Sequence, residues 1–266
     1  MHMIDRSKAA ITDLGRFLNA VRAIFDTWTL PDANWYPTLW FRGHGDADWA
    51  LMPGWQRIGT SSKGLGEDWY NEGTLLRDFS LRAPRYLHAV PSNSWEWSFL
   101  MQHYGLPTRL LDWSESALIG LYFALRDNKG TCDAAVWVLN PWWLNKQSLG
   151  KYEIPSAGDP LLADWAPRWE GHIKGVLPVA IKPVHATVRI SVQRGFFTIH
   201  GTERHALERL SRRRREDRPQ LIKLTIPKQF VEEMKRDLSI AGITETVIFP
   251  ELDGLCREIK GGFFGS

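Results

Sequence analysis

Residues 101–125 read MQHYGLPTRLLDWSESALIGLYFAL, and this stretch decides how the chain folds. Ser94 is a suitable N-cap for a helix through Phe99 and Leu100 to Tyr104. Gly105 suits its C-terminal cap and Pro107 prevents continuation. TRLLDW then reads as a short strand, and Ser114 caps a second helix carrying Leu118, Leu121, Tyr122 and Leu125. The apolar spacing is that of a buried core, yet His103, Tyr104, Thr108, Arg109, Asp112 and Trp113 interrupt it. Charged side chains in apolar surroundings are costly unless paired or held for use. Arg109 and Asp112 lie three apart on a strand and so point to opposite faces, which denies them to each other as partners. Each needs a partner elsewhere, and the segment reads as the lining of a pocket rather than as a networked core.

Outward from this stretch, apolar residues between Arg6 and Phe25 recur at Ile11, Leu14, Phe17, Leu18, Val21 and Ile24, a helical spacing that makes residues 1–30 an N-terminal helix unit. Leu39 to Arg42 is strand-like and is followed by a glycine-rich turn. Residues 67–90 are expected to be helical, and AAVWVLNPWWL reads as a buried strand. Residues 145–178 have no period and read as an irregular insertion. ATVRISVQRGFFTIHG and QLIKLTIP are expected strands around a basic connector. KQFVEEMKRDLSIAG is an expected helix ending at Gly242, TETVIFP a last strand, and ELDGLCREIK a last helix. No repeat and no linker divides residues 1–266, so one α+β domain is expected, with strands at 39–42, 108–113 and 244–249 in one mixed β core and helices around it.

Composition narrows the function classes. A 44% hydrophobic and 24% charged chain is ordinary for a soluble domain, and a formal charge of +3 does not argue for nucleic acid. The 14 Trp favour an aromatic core over stacking surfaces. Cys132 and Cys256 are far apart, which fits neither zinc-ligand spacing nor a disulfide framework, so no metal is expected and a cytoplasmic location fits. No apolar run reaches membrane-spanning length. Phosphate-binding glycine loops, His-Glu-x-x-His and Gly-x-Ser-x-Gly are all missing.

WFRG, MQHYGLPTRLLDWSESALIGLYFAL, VQRGFFTIHG and TETVIFPELDGL together resemble the FRG domain family, over about Leu39 to Leu255. The order of elements also resembles the ADP-ribosyltransferase fold. In those enzymes an early strand ends in Arg, a middle strand carries Ser-Thr-Ser, and a late strand begins with the catalytic Glu. Arg42 matches the first position and Glu245 the third; the middle departs from the pattern, since no Ser-Thr-Ser is present and Thr108, Asp112 and Ser114 are the nearby candidates for its role. That resemblance implies an NAD-dependent ADP-ribosyltransferase or NAD glycohydrolase, of the kind found in bacterial toxins and defence effectors. Glu245 would stabilise the oxocarbenium-like transition state and Arg42 would clamp the pyrophosphate. Gly43 would let the ligand approach the backbone, and His103, Tyr104, Thr108, Arg109, Asp112 and Gln193 would line the nucleotide site. The reading from another class is a non-catalytic nucleotide- or nucleic-acid-binding module, with Arg212, Arg213, Arg214 and Arg215 on phosphates and Trp142, Trp143 and Trp169 for stacking.

Overall fold

The computed structural model describes residues 10–29, 37–61, 72–183, 192–213 and 218–264. Six strands build one sheet: β1 (Trp40–His44), β2 (Leu110–Ser114), β3 (Ala134–Leu139), β4 (Val179–Ile181), β5 (Gly195–Ile199) and β6 (Leu221–Ile226). Their order is β4-β5-β2-β1-β3-β6, and every neighbouring pair is antiparallel. The α+β class holds; the expected mixed core is instead wholly antiparallel.

Helices α1 (Leu14–Trp28), α2 (Gly54–Ser61), α3 (Glu72–Arg82), α4 (Ser94–His103) and α5 (Ala117–Leu125) belong to the first half. The second half adds α6 (Pro141–Leu149), α7 (Leu207–Arg213), α8 (Val231–Ile240), α9 (Glu245–Ile248) and α10 (Leu252–Phe264). One sheet face carries Phe41, Val136, Val138, Leu224 and Ile226 against Phe17 and Ile24 of α1, Leu121 and Leu125 of α5, and Met234 and Leu238 of α8. The other face is aromatic, with Trp40, Leu111, Trp113, Trp137 and Trp143 in one buried cluster. Tryptophan therefore serves mainly as core here. Trp143 is buried inside that cluster, which removes one of the expected stacking surfaces.

The helix–strand–helix reading of the opening stretch survives with shifted caps. Asn93, not Ser94, caps α4 by accepting from the amides of Trp95 (3.0 Å) and Glu96 (3.1 Å). Ser116, not Ser114, caps α5. Gly105 takes φ 78°, the left-handed geometry that ends a helix. Part of the expected 145–178 insertion is ordered differently: α6 runs to Leu149, and Ile154, Ala157, Leu162 and Trp165 are buried.

The expected last strand at 244–249 is a helical turn. Backbone bonds from Ile248 to Thr244 (3.1 Å) and from Phe249 to Glu245 (2.8 Å) close α9. Thr, Val, Ile and Phe prefer strands, but packing overrides that preference here. Ile248 and Phe249 are both buried in the α5-side core, and the Phe249 ring meets Tyr122 and Phe123.

Gly43 owes its identity to that same side. A Cβ there would lie 2.2 Å from both the Ala124 nitrogen and the Gly120 oxygen of α5. Gly120 is pinned in return, since its Cβ would meet the Phe41 Cβ at 2.7 Å. What approaches the Gly43 backbone is a helix, not a ligand. Gly43→Ala is expected to lose about 3 kcal/mol by forcing α5 off β1, measured as a shift of the urea midpoint at unchanged slope.

Candidate functional site

Strand β1 pairs with β3 at five positions but with β2 at one, Phe41 opposite Ser114. Beyond that pair the two strands leave a fork, and Arg42 fills it. Alternation along β1 puts Arg42 on the same face as Trp40 and His44, away from α5. Its Nη1 donates to the Asp112 carbonyl oxygen at 2.8 Å and lies 3.6 Å from the Asp112 carboxylate. Its Nε donates to His44 Nε2 at 3.2 Å. Asp112 also accepts from Gln102 Nε2 (2.7 Å), and Gln102 Oε1 accepts from the Thr108 hydroxyl (2.5 Å). Thr108, Gln102, Asp112, Arg42 and His44 thus form one hydrogen-bonded chain across the fork.

Electrostatics sharpen this arrangement. Burial pushes the His44 imidazole down to about 3, and Arg42, Arg57 and Lys223 add to the shift against an opposing backbone contact to Trp49. His44 is therefore neutral and accepts from Arg42 through Nε2, which leaves the proton on Nδ1. Burial also draws the Arg42 guanidinium below its usual range, with the Asp112 charge opposing and the Arg57 charge assisting. Arg57, exposed on α2, is near enough for its charge to act on both Arg42 and His44. The Asp112 carboxylate beside Arg42 is half-exposed, with 55% of its side chain open to solvent.

Residues 37–132, a span that contains every member of the fork, match the family model of the FRG domain. No curated protein and no solved structure matches the chain. The described residues contain no helix long and apolar enough to cross a membrane.

The other expected site residues divide into distinct places. Arg109 is buried, and each of its three nitrogens donates: Nε to the Glu72 carboxylate at 2.5 Å, Nη1 to the His200 carbonyl at 2.6 Å, and Nη2 to the Trp165 carbonyl at 2.9 Å. It ties α3, β2, β5 and the turns after α6 into one unit, a structural role. Its separation from Asp112 is as the alternation of the strand predicts. Beside it, His200 is wholly buried and pushed down to about 3 by burial, with the Arg109 and Arg42 charges adding to the effect.

His103 and Tyr104 end α4, with ring centroids 4.9 Å apart and Tyr104 exposed. Neither belongs to the chain across the fork. Gln193 donates from Nε2 to the Ile248 carbonyl at 3.2 Å, and its own carbonyl accepts from the Ser114 hydroxyl at 2.6 Å. It joins the β2–β5 end to α9. Arg214 and Arg215 lie outside the described residues, and Arg212 and Arg213 close α7.

Glu245 sits in α9 on the α5 side of the sheet, so Arg42 and Glu245 are separated by the sheet itself. It accepts from the Tyr122 hydroxyl, from Arg126 Nη2 at 2.9 Å and Nε at 3.2 Å, and from Arg257 Nε at 2.5 Å. Burial raises this carboxyl, but the hydrogen bonds from Tyr122, Arg257 and Arg126 outweigh it and hold the carboxyl below its usual range. Both guanidiniums also stack on the Phe249 ring, at 4.6 and 5.0 Å from its centroid. Glu245 lines a cleft of about 290 Å³ with Lys235, Ser239, Thr244 and Glu258, but its own oxygens are engaged. It pins α5, α9 and α10 together.

Sequence reasoning missed Gln102, His44, Arg57 and Glu72. His44 had a legible signal, because it lies two residues from Arg42 on the same strand and so on the same face. Arg57 and Glu72 carried none, since tertiary packing brings their helices to β1 and β2.

Proposed function

We propose that this protein is a nucleotide-binding module that receives the phosphates of its ligand at the Arg42 fork, with NAD as the ligand to test first. The observation that carries the reading is the Arg42 guanidinium held at the open β1–β2 fork between the Asp112 carbonyl and His44, beside a half-exposed carboxylate. Arg presents a planar donor fork suited to phosphate oxygens, and the Arg57 charge acts on the same place. Neutral His44 holds the Arg42 Nε without competing for the anion. A transferase or glycohydrolase reaction would also need a carboxylate at the ribose. Glu245, the residue expected to supply it, faces the other side of the sheet with its oxygens engaged. Binding is therefore the reading that the fork supports.

Calorimetric titration with NAD, ADP and pyrophosphate tests it. Arg42→Ala and Arg57→Ala should each weaken binding by about tenfold to a hundredfold, the range for one lost charge-assisted contact. Glu245→Gln should leave affinity unchanged. Absence of binding by the wild type, or wild-type affinity in both arginine variants, would overturn the proposal. Nicotinamide release by the wild type that disappears in Glu245→Gln would restore the enzymatic reading in its place.

A further inference from the structure

Trp49 stands apart from the other tryptophans. Most of the described ones are buried in the core, whereas Trp49 is 54% exposed, ahead of Trp169 at 37%. An indole left open to water forgoes the burial that the others obtain, and a large flat apolar face beside a polar site is suited to stacking. Its place in the fold supplies such a site. The indole lies edge-on to the His44 imidazole, with ring centroids 6.1 Å apart, and a Cβ on Gly45 would lie 3.9 Å from its Cη2. His44 in turn accepts from Arg42 Nε at 3.2 Å. One imidazole therefore separates the indole from the Arg42 guanidinium.

Hydrogen bonds fix the turn that carries Trp49. The Ala47 amide donates to the Asp133 carbonyl at 2.7 Å, the Asp48 amide to Asp46 Oδ1 at 2.9 Å and the Trp49 amide to the Asp46 carbonyl at 3.2 Å. Lys223 donates to the Ala47 carbonyl, and Asn128 donates to the Gly45 carbonyl at 2.7 Å. A surface held in this way gains a contact at little cost in ordering.

We infer that Trp49 is the platform on which the aromatic base of the ligand stacks, one sugar ring away from the phosphates at Arg42. The platform presupposes the nucleotide reading of the fork and adds the part of the ligand that the fork does not address. In a nucleoside diphosphate a single ribose joins the base to the phosphates, and a single imidazole spans the same step between indole and guanidinium. Stacking uses the π-face that every base has, so the ligand is held by its ring as well as by its charge. Inorganic pyrophosphate reaches only the Arg42 part.

Calorimetric titration of the full chain with ADP and with pyrophosphate separates the two parts, and circular dichroism establishes folding. Trp49→Ala should weaken ADP binding about fivefold to a hundredfold, the range for one lost base stack, and leave pyrophosphate binding within about twofold of wild type. Trp49→Phe should recover most of the ADP affinity. Unchanged ADP affinity in Trp49→Ala, an equal loss for ADP and pyrophosphate, or a wild type that binds ADP no more tightly than pyrophosphate would overturn the platform while the phosphate site at Arg42 stands. A wild type that binds neither overturns the nucleotide reading together with the platform.

Discussion

Arg109→Ala is expected to destabilise the protein by about 4 kcal/mol, the largest effect of any single substitution considered, because it breaks a buried ion pair from one side. The truncation leaves the Glu72 carboxylate in a site where its side chain is 11% exposed, without the one cation paired with it among the described residues. It also strips donors from the His200 and Trp165 carbonyls. Lys at this position would supply charge but not three divergent donors, so Arg109→Lys should recover little. Chemical denaturation reads both variants. Near-native stability of Arg109→Ala would mean that this node is not what joins α3 to the sheet. Nucleotide affinity measured on whatever folded fraction remains should follow Arg42 and Arg57, not Arg109.

Acidification should have an effect of similar size. His44 and His200 both titrate near 3 in the folded chain, well below the usual 6.5, chiefly through burial. The unfolded chain therefore binds more protons between those values, and stability falls as pH drops from 6.5 towards 3. At pH 5 each histidine has lost roughly 2 kcal/mol, so the pair costs about 4 kcal/mol relative to neutral pH. The unfolding midpoint in urea, followed from pH 7 to pH 5, measures it. Replacement of His200 by an isosteric neutral residue such as Gln should remove about half of the slope, if it folds. A flat profile would show that the imidazoles accept protons in place, and it would leave the buried setting of the fork without support.

The middle of the molecule was legible because its signals are local. Gly105 and Pro107 end α4, the Leu-rich run makes α5 and the β2 alternation separates Arg109 from Asp112. Each depends on the conformational range of one residue or on the period of one element. The same alternation predicts that Arg109 needs a distant partner, but not that the partner is Glu72, thirty-seven positions earlier. Arg42 and Asp112 were both singled out in the sequence. Their meeting depends on the one-position pairing of β1 with β2, which leaves the fork open.

Glu245 shows the opposite case. Its strand reading followed the β preference of Thr-Val-Ile-Phe, which is real but weak next to burial. Two arginines, one of them from α10, and the Phe249 ring between them favour a helical turn instead. Gly43 likewise looked like room for a ligand, and only the position of α5 shows that the space is taken.

The element types of the middle stretch, the aromatic core and the need of Arg109 and Asp112 for separate partners therefore follow from residue order alone, since backbone periodicity and turn chemistry act over a few neighbours. Antiparallel strand order, the meeting of Arg42 and Asp112 at one fork, and the helical turn that places Glu245 across the sheet were decided only in three dimensions. The physical reason is that these depend on which helix packs on which face, and packing joins residues that the chain keeps far apart.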